Sequence, residues 1–217
     1  MAFDYTCPLP TALATINRGC TENLGEIRHL AIGRKGLVFF DSGAGTPDPI
    51  TAKAGWTTRI GATDDTKIVV IPNVRNFITN DPTFTKTGED DSLGGVGEII
   101  GVPNALFTGK IRSVKGSVMK NVQALIGESL EVFFINEYGK IIGKDVSSAL
   151  DGSVVGGFPI LDNTFGVTWA KAGGKLSLDD AMLELAMEDT FWRNDLVIST
   201  PAAGFNPLID LLPAYES

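Results

Sequence analysis

The sequence predicts a mainly β protein with one flanking α-helix, an α+β fold built on a β-sandwich or half-barrel sheet with extended loops. Three observations carry that prediction. Residues 105–143 read as strand, helix and tight hairpin without a break. Twenty-five glycines and eleven prolines demand many turns. Late in the chain, Leu183, Leu185 and Met187 alternate with Glu184, Ala186 and Glu188, the period of a strand with one wet face.

The elements follow in order. Residues 1–26 read as irregular, with a short helix possible over 11–18. Residues 28–33 and 37–40 read as a hairpin around Arg34-Lys35-Gly36. Residues 41–54, rich in Gly, Pro, Asp and Ser, form a loop, and Ile and Val over 67–71 form a strand that Pro72 stops. Residues 73–97 are long and polar, carrying Pro82 and the acidic run Glu89-Asp90-Asp91, so they read as an extended inter-subunit arm. Within it Phe77 and Phe84 are large apolar side chains of the kind that anchor a segment in a partner's groove.

After the strand over 105–114, Val114, Val118, Val122 and Leu125 recur at helical spacing, and Gly127 sits where a helix stops. Residues 130–135 and 140–143 then flank a turn at 136–139. Residues 157–161 and 164–171 read as a second hairpin around Asp162-Asn163. For 176–193, Asp179-Asp180 and good helix formers allow a helix, but the alternation favours a strand. Residues 196–199 form a last strand, and 201–217 a docked tail.

At 217 residues and 23.0 kDa, one β-rich structural domain is expected over 1–217, with 157–217 supplying C-terminal strands and tail. Hydrophobic content of 43% against 20% charged residues places the chain among globular proteins. The formal net charge of −8 argues against a tight grip on nucleic acid, which comes mainly from Lys and Arg on phosphates. It suits a surface past which DNA slides without specific binding. The N-terminal residues lack the basic and apolar regions of a secretory signal, and no run reaches the length of a membrane span, so synthesis in a cytoplasm is expected.

Known chemical motifs are not met. Cys7, Cys20 and His29 are too few for a zinc site; the two cysteines read as small semi-buried thiols, or as a disulfide in an oxidising medium. Gly95-Val96-Gly97 is followed by a glycine one position late for a dinucleotide loop, and Gly173-Gly174-Lys175 is followed by Leu176 where a phosphate loop needs Ser or Thr. Glu89-Asp90-Asp91 lacks calcium-loop spacing. Trp56, Trp169 and Trp192 could form a ligand cage but are better read as core or interface anchors. The expectation is no enzyme, no catalytic residues, no metal and no cofactor. The candidate oligomer-interface residues are Phe77, Phe84, Glu89, Asp90, Asp91 and Trp56.

The order of elements then resembles a known family. A β-rich N-terminal half, an extended arm, a strand entering a helix, and the hairpin Phe134-Ile135-Asn136-Glu137-Tyr138-Gly139-Lys140-Ile141-Ile142-Gly143 with the following Gly157-Phe158-Pro159-Ile160 resemble tail-tube and related virion structural proteins of tailed bacteriophages. The resemblance covers about two thirds of the chain by layout. It implies a β-sandwich flanked by a helix, rings of six subunits stacked into a tube, a sheet from each subunit lining one barrel, and a place in the virion tail beside other virion proteins. Ring closure also answers a physical problem, since an open sheet edge invites aggregation unless it is paired. A capsid decoration or head–tail connector subunit, or an adhesive, carbohydrate-binding β-module, fits the same catalysis-poor sequence.

Overall fold

Two hydrophobic clusters, one on each face of a curled antiparallel sheet, organise the chain. The computed structural model describes residues 24–40, 49–79, 84–86, 99–112, 116–148, 152–170 and 180–212. In the first half these hold β1 (Ile27–Arg34), β2 (Val38–Phe40), α1 (Lys53–Ile60), β3 (Val69–Ile71), β4 (Val74–Thr79), β5 (Thr85–Lys86), β6 (Ile99–Gly101) and β7 (Leu106–Arg112). There follow α2 (Gly116–Gln123), β8 (Leu130–Asn136), β9 (Ile141–Asp145), β10 (Val154–Gly156), β11 (Phe158–Pro159), β12 (Gly166–Ala170), β13 (Asp180–Ala186), β14 (Leu196–Ser199) and α3 (Pro207–Asp210). The fold is mainly β, with a curled antiparallel half-barrel sheet, as the sequence predicts.

The larger sheet has eight strands in the order β2-β10-β9-β8-β1-β3, with β11 also on β8 and β14 also on β9. Its central strand β8 is buried along its whole length. That is why its sequence is a near-continuous apolar run rather than an alternating one. Leu130, Val132 and Phe134 face a cluster shared with the second sheet; Phe133 and Ile135 face a cluster with Phe39, Trp56 and Val155. The second sheet has four strands in the order β12-β13-β7-β4, and β5 and β6 form a separate two-stranded ribbon.

The hairpin of β8 and β9 forms as expected, with Phe134 opposite Ile142 and Gly139 in the left-handed region at φ +73°. It then splays. Beyond Ile142, β9 pairs with β10, while β8 pairs at Val132 and Glu131 with β11. Glycines allow this fork: a Cβ on Gly143 would lie 2.7 Å from the Gly156 carbonyl oxygen, and one on Gly157 would lie 2.8 Å from Glu131 Cγ.

The helix expected over 114–125 is α2 with a following turn, and Gly127 ends it at φ +88°. Met119 and Val122 are buried in the cluster that holds Val132 and Phe134, and Val118 packs against it. Two further short helices, α1 and α3, are also present. α1 has no side-chain N-cap, and tertiary contacts hold it. Trp56 stacks on Phe39 with centroids 4.6 Å apart, and its Nε1 donates to the Ile50 carbonyl at 2.8 Å. Asn206 caps α3 by accepting from the Leu208 N–H at 3.1 Å, ahead of Pro207.

Other expectations are corrected by the pairing. β1 and β2 do not form a hairpin; β1 lies between β3 and β8, and β2 pairs with β10. The turn at Lys35-Gly36 is real, but partners about a hundred residues away decide where each strand goes. The hairpin around Asp162-Asn163 is likewise absent: β11 joins β8, and β12 joins β13 in the other sheet. Within the expected arm, residues 74–79 form β4, paired with β7. The strand reading of the ambiguous C-terminal segment holds as β13, central in its sheet. The helix over 11–18, Cys7, Cys20 and the acidic run at 89–91 lie outside the described residues.

Candidate assembly interface

Three surface features of the described residues bear on assembly. The first is the open face of the four-stranded sheet. In β13 and β7 the inward residues Ala181, Leu183, Leu185, Phe107 and Ile111 are buried, so the residues between them face outward. Register places Thr168, Met182, Lys110 and Arg75 in one outward row, and Glu184, Thr108 and Ile78 in another. Arg112 lies 3.7 Å from Asp180 at one end of this face. Its charge is mixed, three cations (Arg75, Lys110, Arg112) with two acids (Asp180, Glu184), rather than acidic. Among the described residues, the outer edges of β12 and β4 have no strand partner in the sheet order. β4 carries a register shift between Arg75 and Ile78 with Asn76 at φ +50°, a bulge of the type that marks sheet edges.

The second feature is the ribbon of β5 and β6, which leaves the sheet beyond Thr79. Phe84 is 49% exposed, Ile99 58% and Ile100 63%.

The third feature is a cleft of about 350 Å³ floored by aromatic rings. Phe77 stacks on Phe107 at 5.0 Å, Phe107 meets Trp192 edge-on at 5.1 Å, and Phe134 lies 5.5 Å from Phe77. Leu24 and Ile27 complete the walls, and the Arg193 guanidinium sits 5.8 Å from the Trp192 ring centroid at the rim.

The sequence-derived interface residues fall in different places. Phe84 is on the exposed ribbon. Phe77 is half-buried, packs on Phe107 and Phe134, and belongs to the floor of the cleft. Trp56 lies on the inner side of α1 and is fully buried in this chain, stacked on Phe39. Glu89, Asp90 and Asp91 lie outside the described residues. Sequence reasoning missed the cleft, because Leu24, Phe77, Phe107, Phe134 and Trp192 come from five separate segments.

The ionisable groups inside the fold are structural in their contacts. His29 is buried, with Nδ1 2.7 Å from the Arg28 carbonyl oxygen and Nε2 3.1 Å from that of Leu208, so it joins β1 to α3. Asp145 accepts from the Ser147 N–H at 2.9 Å and the Gly152 N–H at 2.6 Å, closing the turn after β9. Glu131 is 4% exposed, and burial pushes its carboxyl up to about 7 against the opposing pull of N–H groups from Gly36, Gly157 and Leu37 and of the Arg59 charge. Among the described residues no three His, Cys, Asp or Glu side chains gather as metal ligands, and no helix is long and apolar enough to cross a membrane.

No known protein family matches the chain, and neither does any curated protein. Among solved structures, the chain is similar to one from the tail of an empty gene transfer agent (GTA) particle, at 16% identity and TM-score 0.34, covering 64% of this chain and 89% of that one. It is also similar to a chain from the virion of a native gene transfer agent particle, at 16% identity and TM-score 0.33, covering 62% and 89% respectively.

Proposed function

We propose that the chain is a non-enzymatic structural subunit of a virion, and specifically a tail-tube protein. Its copies join edge to edge in rings of six, and the rings stack into a conduit through which DNA passes. The observation that carries this reading is the four-stranded sheet β12-β13-β7-β4, packed on one face, solvated on the other and, among the described residues, open at both edges. A sheet of this kind repeats by pairing the β12 edge of one copy with the β4 edge of the next, and closure of the ring removes every edge.

The solvated face suits a lumen. Arg112 is paired with Asp180, and Lys110 and Arg75 stand in a row neighbouring that of Glu184. Mixed charge leaves few unopposed cations for phosphates, so DNA slides instead of being held. The ribbon then reaches neighbouring subunits, and the protein takes its place in the virion tail beside other virion proteins after synthesis in the host cytoplasm. Negative-stain microscopy of the purified chain tests this reading. Rings or tubes of uniform diameter are expected; knobs that appear only on added capsids, or dispersed monomers that adhere to glycans, would replace it with a decoration or an adhesive role.

A further inference from the structure

On its packed face, the four-stranded sheet ends differently at its two outer edges. Alternation along β12 puts Val167 and Trp169 on the side of their partners Leu183 and Ala181, which is the packed side. Val167 is buried there, but Trp169, two residues further along, is 45% exposed. At the opposite edge the same face is hollow. Phe77 and Thr79 of β4 line the aromatic cleft, so the cleft reaches the edge strand itself, and Thr79 stands exposed in its wall. We propose that the cleft of one copy receives Trp169 of the next. The inference rests on the edge-to-edge pairing proposed above, and names the side chain and the seat that fix its register.

Direction, stagger, face and charge agree on this occupant. Each neighbouring pair in the sheet is antiparallel, so β12 and β4 run in opposite senses. Copies repeated around a ring axis therefore meet there as an antiparallel pair. Trp169 shares a register row with Ala181, Ile111 and Val74, whereas Thr79 shares one with Phe107 and Leu185. Those rows lie four residues apart along β13, from Ala181 to Leu185. A closed barrel whose strands tilt by about 35–45° staggers by roughly one residue per strand, hence by about four across a four-stranded unit. That stagger brings Trp169 of the next copy opposite Thr79. Because four is even, the packed faces of both copies stay on one side. The indole then lies against Phe77 and Phe107, in a cleft of about 350 Å³ whose rings offer it faces and edges. At the rim, the Arg193 guanidinium beside Trp192 is a cation placed to meet the π face of a second indole.

Photo-cross-linking is the test. The amino acid p-benzoylphenylalanine at position 169 keeps an aromatic ring there. Under light, at a concentration where the parent assembles, it is expected to link to the next copy at residues 77–79, 107 or 192. Mass spectrometry of the band at twice the 23.0 kDa chain mass reads the linked residues. The same group at position 79, whose side chain is exposed, is expected to link to Trp169, and serves where position 169 does not tolerate it. Trp169→Ser is expected to raise the concentration of half-assembly about tenfold or more, and Trp169→Phe, which keeps a ring for the cleft, much less. Links between copies that map elsewhere, assembly without any such link, or Trp169→Ser assembling like the parent each overturn the Trp169 seat while leaving self-assembly standing. A parent chain that is monomeric at every concentration overturns both.

Discussion

The Glu131 carboxylate accepts the Gly36 N–H at 3.0 Å, tying the turn between β1 and β2 to the buried strand β8. Burial raises the carboxyl from 4.5 to about 7, so the folded chain holds a proton there that the unfolded chain has released. Its contribution to stability is full below pH 4.5, falls as pH rises towards 7 and is flat above. At about 1.4 kcal/mol per pH unit, the loss is about 3 kcal/mol. Asp64, Asp162, Asp189 and Asp210 are held low, first of all by hydrogen bonds from Thr66, Lys35, the Phe191 N–H and Lys53, and their contributions are lost only in stronger acid. The difference in urea unfolding between the parent and Glu131→Gln from pH 5 to 8 therefore reports Glu131. Stability of the parent is expected to fall more steeply across that range than that of Glu131→Gln; equal slopes in the two proteins would contradict this assignment.

Val122 is 2% exposed on the inner side of α2, in the same cluster as Met119, Val132 and Phe134. Val122→Asp puts an unpaired carboxylate into that cluster and is expected to destabilise by about 3 kcal/mol or more. Lys120→Asp, on the exposed side of the same helix, is expected to change stability by no more than about 0.5 kcal/mol. Thermal unfolding of the pair checks the direction in which the helix faces.

Gly143 stands at the fork of the β8–β9 hairpin. A methyl group there would lie 2.6 Å from Val155 Cγ1 and 2.7 Å from the Gly156 carbonyl oxygen. The carbonyl belongs to a paired strand and cannot move aside cheaply, so Gly143→Ala is expected to cost about 1–3 kcal/mol. Gly166→Ala, where a Cβ meets nothing within 4 Å, serves as the control and is expected to melt with the parent. Calorimetry that finds both variants alike would show that β10 does not pass Gly143 so closely.

Local signals and distant partners divide what the sequence reveals. The β8–β9 turn, α2 with its glycine stop, and the alternation of β13 are each written in consecutive residues, and each is found. The false hairpin of β1 and β2 came from a good turn signal at Lys35-Gly36, overridden because Ala31 pairs with Phe133 and Phe39 with Val155. α1 escaped notice because it has neither a side-chain cap nor a clear apolar stripe; its reason to form is the seat of Trp56 against Phe39 and Phe133. For the surface, Phe84 was legible as a large apolar residue in a polar stretch. Phe77 carried the same signal three residues after β4 begins, yet it turns inward onto Phe107. No single segment could announce the cleft, since its floor exists only after both sheets have packed.

Self-association of the intact chain is the claim on which the functional account stands, and light scattering on a concentration series measures it directly. Mass is expected to rise with concentration from 23.0 kDa through a discrete ring to longer stacks, with steeper growth as salt weakens the repulsion of a chain of net charge −8. A mass fixed at one chain from the lowest to the highest concentration, at low salt and at high, would contradict it.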